Sequence, residues 1–410
     1  MSLNATPRAN RVHIALFGKR NAGKSSLINA ITKQETAVVS PVKGTTTDPV
    51  YKAMELLPLG PVVFIDTAGL DDEGELGELR KRKTLEVLEK TDLALLVIDA
   101  AEGISDFEIS MAAYLKQKKI PAIGVLNKID LDVPADSLLK ESEDKLELKT
   151  LAVSAAAGKG ISELRKAMGD AVPDDDDKFK IVGDLIQPGD FVVLVTPIDK
   201  AAPKGRLILP QQQTIRDILE SDAIAVVTKE YELKETLERL GTKPKLVITD
   251  SQAFLKVAAD TPKDVPLTSF SILFARHKGD LTELVKGAKA VESLKDGDKV
   301  LIAEACTHHQ QSDDIGRVKI PRWLRQTTGK EIQFEFANGY SFPPNITDYS
   351  LIVHCGSCML NRRSMLHRIA QAVDANVPIV NYGVLIAYVQ GIFPRAIDMF
   401  PLARLMWEEE

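Results

Sequence analysis

Residues 18–25 read Gly18-Lys19-Arg20-Asn21-Ala22-Gly23-Lys24-Ser25. An apolar run, Val12–Gly18, leads into this segment, and a helix-like run, Lys24–Thr32, leaves it. A strand feeding a glycine-bearing loop that opens a helix confines this part of the chain to an α/β fold. The glycines let backbone N–H groups line a phosphate-sized cradle at the helix N-terminus. Further apolar runs follow at Pro61–Thr67, Leu93–Ala100, Ala122–Asn127 and Leu151–Ala155. Amphipathic segments such as Glu78–Lys90 and Phe107–Lys118 lie between them. This alternation predicts a mostly parallel sheet with helices on both faces.

The loop does not stand alone. Lys24 is placed to reach the β- and γ-phosphates of a nucleotide, and Ser25, followed by Ser26 in the first helical turn, to ligate Mg²⁺. Asp66-Thr67-Ala68-Gly69 closes the next strand; Asp66 suits Mg²⁺ and the Gly69 N–H suits the γ-phosphate. Between them, Gly44-Thr45-Thr46-Thr47-Asp48 offers a switch threonine. Asn127-Lys128-Ile129-Asp130 ends another strand. Guanine carries two adjacent donors, N1–H and the 2-amino group, and the Asp130 carboxylate accepts both; adenine lacks that pair. Ser154-Ala155-Ala156 then closes over the base. The predicted nucleotide set is Gly18, Asn21, Ala22, Gly23, Lys24, Ser25, Ser26, Asn127, Lys128, Asp130, Ser154, Ala155 and Ala156, with Lys24, a threonine of the Gly44–Asp48 segment and Gly69 acting in GTP hydrolysis.

Domain 1–172 ends at an acidic stretch, Pro173–Lys178, that reads as a solvated linker. A small α/β domain is predicted over 181–264, with strands Phe191–Ile198, Ala223–Lys229 and Lys245–Asp250, and helices Gln211–Ser221, Glu232–Leu240 and Ser251–Asp260. It carries no catalytic motif, which makes it a candidate for self-association. A third α/β domain is predicted over 265–410. Two of its strands, Lys299–Ala305 and Tyr349–His354, stop directly before Cys306 and Cys355. Ligands in open α/β sheets bind beyond the carboxyl ends of the strands.

All three cysteines of the chain, Cys306, Cys355 and Cys358, lie in these two segments. Histidines accompany them: Cys306-Thr307-His308-His309 and His354-Cys355-Gly356-Ser357-Cys358. Thiolates beside imidazoles suit zinc or an iron–sulfur cluster, and residue chemistry alone leaves both open. His308, His309, His354, Asp313 and Asp314 are candidates for a fourth ligand or for hydrogen bonds behind the ligands. Arg317, Lys319, Arg322, Arg362 and Arg363 form basic clusters that read either as solvated helix faces or as a docking or anion-holding surface.

The bulk numbers exclude some classes. A net charge of −6 gives no electrostatic footprint for nucleic acid. Three cysteines are too few for a disulfide framework and point to a reducing compartment, the cytoplasm. The first residues show no signal-peptide apolar region. The uncharged stretch Ala375–Pro394 is interrupted by Asn376, Pro378, Asn381 and Gly383, so it reads as a buried strand, Val377–Tyr382, and a helix, Val384–Ile392, rather than a membrane span.

The nucleotide motifs resemble the TrmE/Era-like branch of the P-loop GTPases. In potassium-dependent members the position of Asn21 coordinates K⁺, and Leu70 stands where Ras-like proteins carry a water-orienting glutamine. The resemblance implies that Thr46 is the switch threonine and that K⁺ stimulates hydrolysis. Thr47 departs from the arginine common there. The cysteine pattern, with Asp313-Asp314-Ile315-Gly316-Arg317 and Met359, resembles the HydF family of [FeFe]-hydrogenase maturation GTPases. That resemblance implies a [4Fe–4S] cluster on Cys306, Cys355 and Cys358. It implies a homodimer formed through the middle domain, and transient carriage of a two-iron subcluster. The implied partners are two radical-SAM maturases and the apo-hydrogenase. A rival expectation is an RNA- or ribosome-associated GTPase with a structural zinc.

Overall fold

The computed structural model describes residues 11–33, 40–41, 49–57, 59–67, 83–131, 133–172, 180–198, 207–305, 314–339, 342–356 and 360–409. They form two compact units, Met1–Asp174 and Asp175–Glu410.

The first unit is built on a seven-stranded sheet in the order β2-β3-β4-β1-β5-β6-β7. The strands are β1 (Val12–Phe17), β2 (Ser40–Pro41), β3 (Val50–Leu56), β4 (Gly60–Asp66), β5 (Leu93–Asp99), β6 (Ala122–Asn127) and β7 (Thr150–Ala152). β1 pairs in parallel with both β4 and β5. The pairings of β3 with β2 and with β4 are antiparallel, so β3 runs against the other strands, and neither β2 nor β3 is apparent from periodicity. Side chains of a strand alternate between faces, and the two cores show it. Leu16, Phe64, Leu95 and Val97 pack on one face; Phe17, Ile65, Leu96 and Ile98 pack on the other. The covering helices include α1 (Lys24–Lys33), α2 (Asp106–Gln117), α3 (Ala135–Leu146) and α4 (Ile161–Ala171). α2 starts where a capping box dictates: the Glu108 carboxylate accepts from the Ser105 N–H at 2.9 Å, and Ser105 Oγ accepts from the Phe107 N–H at 3.3 Å.

The second unit holds two four-stranded parallel sheets. One has the order β11-β10-β8-β9, from β8 (Phe191–Val195), β9 (Ile224–Thr228), β10 (Leu246–Thr249) and β11 (Leu267–Ser269). The other has the order β13-β12-β14-β15, from β12 (Lys299–Glu304), β13 (Gln333–Asn338), β14 (Leu351–His354) and β15 (Ile379–Asn381). The helices are α5 (Leu209–Glu220), α6 (Leu233–Leu240), α7 (Phe254–Asp260), α8 (Phe270–Lys278), α9 (Leu281–Lys289), α10 (Ile320–Thr328), α11 (Arg362–Asp374), α12 (Tyr382–Val389), α13 (Phe393–Ile397) and α14 (Pro401–Glu408).

The boundary predicted at 264/265 needs correction. β11 lies beyond it yet is the fourth strand of the middle sheet. The two sheets also share one continuous hydrophobic core, in which Phe254 and Leu273 join Leu284, Ile302 and Val380. α9 crosses β15 so closely that a Cβ on Gly287 would sit 1.9 Å from the Ile379 carbonyl oxygen, a separation only glycine permits. Arg395 of α13 reaches back to the carbonyls of Ala258, Thr261 and Pro262 at 2.8, 3.0 and 2.7 Å. Among the described residues no helix is long and apolar enough to cross a membrane. The stretch Ala375–Pro394 is divided between β15, α12 and a turn at Gly391, whose φ is 71°.

Candidate functional site

The described residues among those predicted gather at the carboxyl ends of strands in two sheets, one in each unit. In the first unit β1 is flanked by β4 and β5, so the connections leave it toward opposite sides of the sheet. The loop after β1 therefore opens at a switch point, where α/β sheets bind ligands. Gly18 has φ 151°, and a Cβ there would lie 2.3 Å from the Val97 carbonyl oxygen. Lys24 is buried and its Nζ donates to the carbonyls of Gly18 and Lys19, both at 2.7 Å, which folds the ammonium group back over the loop. Ser25 Oγ donates to Asp66 Oδ2 at 2.5 Å, so the two predicted Mg²⁺ groups meet. Ser26 and Asn21 are exposed at the rim, Asn21 with a left-handed φ of 62° that asparagine tolerates.

The base end is tied to the phosphate end by one side chain. Asn127 is buried; its Nδ2 donates to the Ala22 carbonyl at 3.0 Å, and its Oδ1 accepts from the Ala155 N–H at 3.1 Å. Lys128 Nζ donates to Asp99 Oδ2 at 2.6 Å, a contact that sequence reasoning missed. Asp99 ends β5 next to Asn127 in the pairing register, so strand pairing alone would have put it there. The Ser154 hydroxyl, helped by the backbone N–H of Asp130 and the charge of Lys128, holds the Asp130 carboxyl below the usual carboxylate range. Asp130 is thus a charged acceptor at neutral pH. Ser154 Oγ also accepts from the Ala157 N–H at 3.0 Å, which shapes the turn holding Ala155 and Ala156. Thr46 and Gly69 lie outside the described residues.

In the second unit β12 lies between β13 and β14, again a switch point. Ala303 pairs with His354, so the chain leaves both strands side by side. Cys355 is 7% exposed, and its Sγ accepts from the Ala305 N–H at 3.2 Å. Ala305 directly precedes Cys306. A buried sulfur that accepts a backbone N–H is suited to thiolate character. Among the described residues this edge offers one thiol, that of Cys355, a donor that suits zinc and iron–sulfur centres alike. Cys306, Cys358, His308, His309 and Asp313 lie outside the described residues. Leu360 and Tyr382 pack with Ala305 and Cys355. The Tyr382 hydroxyl donates to Glu304 Oε1 at 3.2 Å; burial, then Glu304, raises the phenol pKa far above its usual value and keeps it a neutral donor.

Two fourth-ligand candidates are engaged elsewhere. His354 is fully buried; its Nδ1 donates to the Cys355 carbonyl at 2.7 Å and its Nε2 accepts from Arg368 at 2.5 Å. Burial, then Arg368, lowers its pKa to about 3, so the ring is neutral. Both ring nitrogens are used, which makes His354 a brace behind Cys355 rather than a ligand. Asp314 caps the next turn, its Oδ1 accepting from the Arg317 N–H at 2.8 Å. Within the predicted basic cluster, Arg317 lies over the Phe336 ring and Arg362 donates to the His277 carbonyl at 2.6 Å.

The first unit is a P-loop GTPase domain. Residues 13–128 match the 50S ribosome-binding GTPase family. GTPase Der of a Nitratiruptor species is 36% identical over 148 residues, 35% of this chain and 32% of that protein. The tRNA modification GTPase MnmE of Endomicrobium trichonymphae is 33% identical over 189 residues, 45% of this chain and 38% of that one. The chain thus spans about a third of the length of these relatives. Among solved structures, Aquifex aeolicus Era bound to GDP and AlF4⁻ aligns over 61% of this chain and 99% of its own, with 20% identity and a TM-score of 0.34.

The remainder of the chain is more specific. Residues 181–279 match the hydrogen maturase F dimerization domain, and residues 282–399 match the hydrogen maturase F tetramerization domain. Together these two matches span more than half of the sequence, and the chain belongs to the hydrogen maturase F family, HydF.

Proposed function

We propose that this protein hydrolyses GTP and serves as a scaffold and carrier in [FeFe]-hydrogenase maturation. It holds a [4Fe–4S] cluster on Cys306, Cys355 and Cys358 and delivers a two-iron subcluster, its cargo, to the apo-hydrogenase. Two radical-SAM maturases supply that cargo. The observation that carries this reading is the meeting of the β12 and β14 exits at a switch point, with the Cys355 sulfur accepting the Ala305 N–H. The matches to Der and MnmE cover the GTPase motifs, whereas the hydrogen maturase F matches cover the cysteine-bearing part.

The chain's own groups divide the work. Lys24 and the loop N–H groups bind the phosphates, and Ser25 and Asp66 hold Mg²⁺ with Thr46. The Gly69 N–H reports the γ-phosphate. Asp130 selects guanine, while Asn127 keeps base loop and phosphate loop in one arrangement. Exposed Asn21 is the K⁺ ligand, supplying the charge that an arginine finger gives elsewhere. When bound, the cluster supplies an anchoring iron site and electron transfer. His354, locked between Arg368 and the Cys355 carbonyl, orients the second cysteine loop. The middle sheet forms the homodimer.

The test is metal analysis of protein purified and reconstituted without oxygen. About four irons and four sulfides per chain, lost in Cys355→Ser, are expected. About one zinc without sulfide would overturn the carrier reading and favour an RNA- or ribosome-associated GTPase.

A further inference from the structure

Lys128 leaves β6 with a left-handed φ of 68°, a conformation that long side chains rarely accompany and that persists only where the surroundings hold it. One of those holds comes from the neighbouring strand. The Lys128 Nζ donates to Asp99 Oδ2 at 2.6 Å. Asp99 ends β5, and its side chain is only 9% exposed. Its other oxygen, Oδ1, accepts from the Ala101 N–H at 2.9 Å. Its carbonyl accepts from the N–H groups of Glu102 and Gly103 at 3.1 and 2.9 Å, and the adjacent Ala100 N–H donates to the Asn127 carbonyl at 2.9 Å. The carboxylate is therefore held by its own turn, independently of the lysine. The lysine stem passes the phosphate loop on its way there: a Cβ built on Gly23 would lie 4.0 Å from Lys128 Cε. Lys128 thus stretches from the base loop, two residues before Asp130, past the phosphate loop to β5. Its side chain remains 31% exposed, which leaves a face for a ligand. A nucleotide with its base at Asp130 and its phosphates at the loop runs along that stem.

We propose that Asp99 is a positioning residue for guanine-nucleotide binding. By anchoring the Lys128 ammonium, it holds the methylene stem extended as one apolar wall of the base site. Asp99 acts through Lys128 rather than on the nucleotide. An unanchored lysine would keep its rotamer freedom in the empty site and lose it on binding, at a cost to affinity. This rests on the assignment of Asp130 to guanine.

The experiment titrates the full chain with labelled GDP in the presence of Mg²⁺ and measures GTP turnover. It compares the native protein with Asp99→Asn, Lys128→Met and the double variant. Asparagine keeps the acceptor for the Ala101 N–H and loses the charge; methionine keeps an apolar stem and loses the ammonium. Each single change is expected to weaken GDP binding by about two- to tenfold, the cost of freezing one long side chain. KM for GTP should rise by a similar factor, with kcat within about twofold of native. In the Lys128→Met background, Asp99→Asn should change GDP affinity by less than about twofold, because the group it acts through is gone. Native GDP affinity in either folded single variant overturns the proposal. So does an equal loss from Asp99→Asn in both backgrounds, which would make Asp99 a support of the β5 turn alone, or a fall in kcat with KM unchanged. Native protein that binds no GDP would instead overturn the guanine assignment on which the proposal rests.

Discussion

Replacing Asn127 with alanine should uncouple the two halves of the nucleotide site. The side chain is 1% exposed and makes one bond to the Ala22 carbonyl at 3.0 Å and one from the Ala155 N–H at 3.1 Å. A typical protein hydrogen bond contributes about 1 kcal/mol net, and a buried group left unpaired costs about 1–3 kcal/mol. Ala22 is 2% exposed, so its carbonyl falls at the costly end, whereas Ala155 is only partly buried. Together the two losses come to about 2–4 kcal/mol. Without the tether, the nucleotide must align the two loops on binding, and that cost enters its affinity. At about 1.4 kcal/mol per decade this is roughly 30- to 700-fold weaker binding. Fluorescence titration with a labelled GDP measures it. Hydrogen exchange should show faster opening at Ala155 and along residues 19–24. A folded Asn127→Ala protein whose GDP affinity changes less than about threefold would refute the argument.

Lys24→Ala should abolish GTP turnover while iron and sulfide stay at native levels, because the two sites stand in separate compact units; colorimetric phosphate and iron assays check this, and loss of iron would contradict it. Cys355→Ser should lose the cluster and hydrogenase activation yet hydrolyse GTP at the native rate, and retained activation would remove Cys355 from the ligand set. The pH dependence of guanine binding follows from Asp130. Its carboxyl pKa is lowered, so the acceptor is fully charged at neutral pH and is lost only as pH falls through the depressed folded value. GDP affinity should therefore hold across the ordinary carboxylate range, and Ser154→Ala, which removes the largest cause, should bring the loss to higher pH.

Short-range order made much of this protein legible. The nucleotide motifs lie within single strand–loop–helix units, where backbone geometry and residue spacing suffice to bring Lys24, Ser25 and the loop glycines together. The strands before Cys306 and Cys355 hold the apolar stretches Val300–Ala303 and Leu351–Val353, as parallel buried strands require, so both strands were legible from periodicity. The paired antiparallel strands β2 and β3 were not legible, since β3 mixes Lys52 and Glu55 with apolar residues at one edge of the sheet. Neither was β11 with α8, because a three-residue strand running straight into a helix has no period of its own.

What the sequence determined by itself was the set of nucleotide motifs and the expectation that cysteines follow two apolar strands. What only the tertiary structure decided was the surroundings of those groups. His354 could be read as a ligand until Arg368, 14 residues on, was seen to take its Nε2. Lys278 is buried, and its Nζ meets the carbonyl of Leu360, 82 residues away. The reason is that burial is set by segments distant in the chain, and a side chain's charge, partner and direction follow from burial.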